Sequence, residues 1–151
     1  MPEADENRTK FLLAEYCTVV YVDESDEKAI ETAAFRASRA YEGFLAPAKP
    51  GETFERRAAE HAKMFVGRGE PGASEIMQHL FDADYLLQHE LVFIGSPETV
   101  AAKVHAAAAE GLFNVFMGEF NFADLPEADL MRSIRLFGEK VIPALRAYEP
   151  F

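Results

Sequence analysis

The sequence is short of the residues that would place it quickly. A single cysteine, Cys17, rules out a disulfide within the chain and fits a reducing, cytoplasmic setting. Tryptophan is absent. Basic residues are few. Fifteen Lys and Arg stand against 26 Asp and Glu, a net charge of −11, which argues against non-specific binding to nucleic acid or an anionic membrane. No apolar run approaches the ~20 residues of a membrane span. The acidic opening MPEADENRTK does not read as a signal peptide. Cys17 lies within an apolar run, so a buried, inert thiol is expected there.

What is present is a core. A hydrophobic fraction of 49% over 151 residues supports one ordinary domain, residues 1–151. The chain is organised around 91–120, LVFIGSPETVAAKVHAAAAEGLFNVFMGEF, which reads as strand, turn, helix, turn, strand. Leu91 to Ile94 is a short apolar run typical of a strand buried on both faces. Gly95 allows a sharp exit, Ser96 is a candidate N-cap, Pro97 fits the first helical position, and Glu98 suits the positive helix end. Gly111 stands where a helix ends in a left-handed residue. Two apolar strands joined through a helix imply parallel neighbours.

Before this unit, Tyr16 to Val22 reads as a buried strand. Ser25 or Asp26 can cap the helix that follows, with Ile30, Ala33, Ala37, Tyr41 and Phe44 on its apolar face. Helices are expected over 53–65 and 74–88, separated by loops, so that 46–90 forms a helical insertion too short for a core of its own. After the unit, 121–128 reads as a polar loop. The last helix carries Leu130, Ile134, Phe137, Val141 and Leu145 on one face and Arg132, Arg135, Glu139 and Lys140 on a wetter one. Pro143 must disturb it, because it removes a donor and clashes one turn back.

Few motifs carry chemistry by themselves. Gly67 to Gly72, GRGEPG, matches the dinucleotide pattern GxGxxG, but Pro71 lacks a backbone donor and Glu70 would set a carboxylate beside a pyrophosphate. His61, His79, His89 and His105 form no metal signature: HELVF is not HExxH, and no Cys pair joins them. No metal is expected. The helix start at Ser96 offers amides to an anion, against the plainer account that Ser96 only caps the helix. Asp23, Glu24 and Ser25 after the first strand, and Glu119, Asn121 and Asp124 after the last, lie where strand-end loops carry function in α/β proteins.

Two stretches resemble the C-terminal portion of the luciferase-like flavin-dependent monooxygenases: FIGSPETVAAKV, residues 93–104, and GEFNFADLPEADLMRSIRLFGEKVIPALR, residues 118–146. RSIRLFGEKVIPALR, similar to the family's last helix, is the more specific. TVVYVDESDEKAIETA is similar to its sixth strand and helix. The resemblance implies an α/β fold, a partial TIM-type (β/α)8 barrel made of the last three β/α units with a helical insertion over 46–90. It implies reduced FMN as cofactor, a small organic substrate oxidised with O2, and either a homo-oligomer or a second chain supplying the rest of the barrel. Gly95 and Ser96 are the candidate cofactor-binding residues. Ser133, Phe137 and Pro143 match as structural positions. No catalytic residue carries over, because units one to five and the flavin-phosphate segment are not in this chain. A half-barrel would expose strand edges and an apolar interior. Two other readings stand beside this one. One is a non-catalytic half-barrel acting as an assembly or regulatory partner. The other is a small α/β domain binding an anion at Ser96.

Overall fold

In the computed structural model, the described residues are 15–41, 50–51, 53, 56, 78–111, 113 and 115–146. Strand β1 (Glu15–Val22) is dominated by β-branched and aromatic residues and is buried on both faces over its second half. Ser25 caps helix α1 (Asp26–Ala40), its hydroxyl accepting the Lys28 N–H, with Asp26 and Glu27 in the first turn. The buried face of α1 is Ala29, Ala33 and Ala37, which lets the helix lie close to the sheet. Ile30, expected on that face, points outward, because the stripe begins one residue earlier. Tyr41 packs against this core.

The single helix expected over 74–88 is interrupted. Asp82 caps a separate helix, α2 (Ala83–Gln88), its carboxylate accepting the Asp84 and Tyr85 N–H groups. Of the helix expected over 53–65 only Thr53 and Arg56 are described, Thr53 Oγ1 accepting the Arg56 N–H at 3.3 Å. The GRGEPG loop, His61, Ile76 and Phe44 lie outside the described residues. Strand β2 (Phe93–Gly95) is short and fully buried. Helix α3 (Pro97–Ala109) starts as its sequence requires: Ser96 Oγ accepts the Thr99 N–H and Pro97 opens the first turn. Gly111 has a φ of 71°, the left-handed value expected after a helix. Strand β3 (Val115–Glu119) follows.

All three strands are parallel, in the order β2-β1-β3. The strands joined through α3 are therefore not neighbours, as their sequence pattern suggested; β1 lies between them. Three successive units pairing in chain order would have β2 in the middle. The two neighbours use different stretches of β1: Glu15 to Val19 pair with Val115 to Glu119, and Val20 to Val22 pair with Phe93 to Gly95. Both faces are covered. On one, Val19, Tyr21 and Ile94 pack on α1, Leu86 and Phe122. On the other, Val20, Val22 and Phe93 pack on Val100, Val104 and Val141. An exposed apolar sheet interior is thus not found over these residues.

Two further expectations are corrected. Cys17 is exposed, since it precedes the stretch covered from Val19 onward and its cross-strand partner Met117 is also exposed. The 121–128 loop is not wholly polar: Phe122 plugs the core. Helix α4 (Glu127–Leu136) then runs into a π-helical turn (Phe137–Val141) and helix α5 (Ile142–Arg146). The Ile142 N–H reaches back five residues to the Phe137 carbonyl. The widened turn ends just before Pro143, so the disturbance that proline imposes is absorbed there. Ile134 faces outward, whereas Ser133 is fully buried. Along β1 successive N–H groups point to opposite sides. The Asp23 N–H goes to the Gly95 carbonyl, so that of Val22 faces the β3 side, where β3 has already ended. Ser133 Oγ accepts it at 2.8 Å.

Candidate functional site

In open α/β sheets ligands bind outside the carboxyl ends of the strands, where the strand order reverses. With β1 in the middle, that point lies between β1 and β3. Beyond the carboxyl end of β1 a cavity of about 220 Å³ is lined by Asp23, Glu24, Lys28, Glu31, Thr32 and Arg132. β1 delivers Asp23, α1 delivers Lys28 to Thr32, and α4 delivers Arg132.

Asp23 is 2% exposed yet charged. One carboxylate oxygen accepts the Glu24 N–H at 2.7 Å. The other accepts the Tyr21 hydroxyl at 3.1 Å and Arg132 Nη2 at 2.9 Å. Arg132 also donates to Tyr21 Oη at 3.2 Å and to Asp129 at 2.6 Å, so one nitrogen ties β1 to α4. Burial alone would raise the Asp23 carboxyl. The Glu24 N–H and the Arg132 guanidinium outweigh it and hold the group below the usual carboxylate range. The Asp23 hydrogen bond holds the Arg132 guanidinium more firmly protonated than usual. Burial raises the Tyr21 hydroxyl above the ordinary tyrosine value, against the bond from Arg132.

The second group lies where β2 passes into α3. Asp26 accepts the Ser96 N–H at 2.6 Å and the Thr99 hydroxyl at 2.9 Å. The Ser96 bond is the main reason its carboxyl is held below the usual range. Gly95 permits the approach, since a Cβ there would lie 2.8 Å from both Asp26 Oδ1 and Thr99 Cγ2. Ser96 is therefore a helix cap, as its plainer account held. The anion reading meets an internal carboxylate. Ser96 donates to Asp26, Pro97 has no N–H, and Thr99 donates to Ser96 Oγ, which leaves the Glu98 amide. This turn does not by itself fit an FMN phosphate.

The other sequence-derived candidates separate. Glu24 pairs with Lys28, and Asp124 pairs with Arg36 at 3.3 Å. Glu119 ends β3 opposite Val19. His79 and His89 both stack on the Tyr85 ring, with centroids 4.5 and 4.1 Å away. No group of three or more metal-ligating side chains occurs among the described residues. Arg132 and Tyr21 were not legible as site residues. Arg132 lies 109 residues from Asp23, and its only local sign is Asp129 three residues earlier.

No protein-family model matches the chain, and no curated protein matches it. No helix among the described residues is long and apolar enough to cross a membrane.

Proposed function

We propose that the chain is the C-terminal component of a luciferase-like flavin-dependent monooxygenase, in which reduced flavin and O2 oxidise a small organic substrate. It would supply the last three β/α units of a (β/α)8 barrel. The observation that carries the reading is the final helix. RSIRLFGEKVIPALR, the most specific part of the resemblance, seats Ser133 on the end of β1 and widens into a π turn before Pro143. The strand–Gly–Ser–Pro–Glu–helix turn at 93–98 supports it as well.

In this reading the remaining units lie outside these 151 residues and assemble with them. The outward-facing Phe35, Met117, Met131 and Ile134 support such assembly. Joining a barrel in chain order requires β3 to leave β1 and β2 to take the middle place. The flavin phosphate and the reacting groups belong to the complementary units, since Asp26 already occupies the Ser96 amide. That occupation favours a second reading, a half-barrel that assembles with its partner without chemistry of its own.

The test is titration of oxidised and reduced FMN against the purified chain, alone and mixed with the first five β/α units of a luciferase-like monooxygenase, read by flavin fluorescence. Saturable binding by the mixture at a Kd near 1 μM, about −8 kcal/mol, is expected. Co-migration of the two chains without flavin binding would favour the assembly reading. Neither co-migration nor binding would contradict both.

A further inference from the structure

A second cavity, of about 230 Å³, opens at the opposite, amino end of the sheet and takes no part in the function proposed above. Its walls are aromatic: Tyr16, Phe93, Phe113 and His89 line it. Tyr16 is stacked 5.2 Å from Phe113 and 5.8 Å from Phe93, so the rings form one fixed surface. Among the described residues its charged lining is two exposed carboxylates, Glu90 and Glu110. Neither carboxylate has an ion-pair partner among the described residues.

Glu90 is set in place by the end of α2. The Leu91 N–H bonds back to the Leu86 carbonyl at 2.9 Å and the Glu90 N–H to Leu87 at 3.3 Å, the double bond pattern that closes a helix. Glu90 occupies the left-handed position of that closure, φ 53°, where glycine is the usual choice. Leu91 is held in turn, its carbonyl accepting the Thr18 hydroxyl at 2.7 Å. Glu110 closes α3 from the other side. The field of both carboxylates reaches the rings. After desolvation, Glu110 and Glu90 are the next causes that raise the Tyr16 hydroxyl above the ordinary tyrosine value.

We propose that this cavity binds a small alkylammonium cation, held over the Tyr16 and Phe113 rings and paired with Glu90 and Glu110. Aromatic faces attract cations through the ring quadrupole, and the two carboxylates at the rim supply the countercharge. The cavity is smaller than the ~300 Å³ at which sites for drug-sized ligands begin, so the cation carries only a few carbons. Both carboxylates would repel an anion, and a neutral hydrocarbon would gain nothing from them.

Choline is the probe, with 3,3-dimethylbutanol as its uncharged counterpart, each titrated into the full chain by calorimetry. Choline should bind saturably with a Kd of about 1 mM or tighter, and the alcohol about tenfold more weakly. Glu110→Gln, which keeps the size and removes the charge, should weaken choline about fivefold and leave the alcohol unchanged. Phe113→Leu should weaken choline by a similar factor. Equal binding of the two probes, no saturable choline binding, or an unchanged choline affinity in Glu110→Gln would each overturn the proposal.

Discussion

The two ends of the sheet solve the same problem in opposite ways. At the carboxyl end, the one buried charge among the described residues is matched. Asp23 is almost inaccessible, and both its oxygens are engaged by Glu24, Tyr21 and Arg132. Asp26, although exposed, is held by hydrogen bonds from Ser96 and Thr99. At the amino end, packing is done by rings, and the two exposed carboxylates beside them have no ion-pair partner among the described residues. Matched charge fixes the fold, because each partner removed would leave another stranded. Unmatched charge beside a cavity is available to a ligand. The end where α/β sheets usually bind their ligands is thus the end this chain uses to hold itself together.

Removing the guanidinium at the carboxyl end should have the largest effect. Arg132→Met leaves Asp23 buried without its cation and should cost about 3 kcal/mol, the low end for a broken buried pair because Arg132 is itself partly exposed. Urea denaturation measures it, and a loss within the scatter of surface substitutions would remove the contrast between the two ends. The same end sets the acid limit. The Asp23 and Asp26 carboxyls are both lowered in the folded chain. Their contribution is therefore present above the ordinary Asp value of about 3.9 and is lost as pH falls through the lowered folded values. Stability against pH should decline below about pH 4, and Asp23→Asn should flatten that decline.

Smaller effects refine the comparison. Ser96→Ala removes the cap of α3 and should cost about 1 kcal/mol. The residual Asp26 bond to the Ser96 backbone N–H is untouched by this change, so the loss should not exceed that of an ordinary cap. At the amino end, Tyr16→Leu gives up ring contacts with Phe93 and Phe113 while keeping an apolar side chain. It should cost about 0.5–1 kcal/mol and leave the acid limb of the stability curve unmoved. A shift of that limb would mean that the two ends are electrostatically coupled.

Local features were legible because local chemistry fixes them. The strand at Tyr16–Val22, the caps at Ser25 and Ser96, and the left-handed Gly111 depend on neighbours within a few residues. The break at Asp82 was missed because its apolar spacing mimics a continuous helix, and the capping role of an aspartate competes with that pattern. The alanine face of α1 was misplaced by one position because Ile30 outweighs Ala29 in any hydrophobic count, although only a small side chain fits the close approach. The Asp23–Arg132 pair and the strand order were beyond reach for a common reason. Each depends on which parts of the chain cross β1, and a strand–helix–strand pattern fixes direction but not adjacency.

Strand order is the claim on which both ends rest, because β1 in the middle creates the carboxyl crevice and brings Tyr16 beside Phe113. It can be measured directly. Cys17, the only cysteine, faces Met117 across the β1–β3 register. In Met117→Cys the thiols at 17 and 117 sit on adjacent strands about 5 Å apart, within disulfide range, whereas β2 lying between them would separate the strands by about 10 Å. Mild oxidation should give an intramolecular link joining the peptides that contain residues 17 and 117, detected by mass spectrometry in the monomer. A folded monomer that forms no such link would contradict the order β2-β1-β3 and the account of both ends built on it.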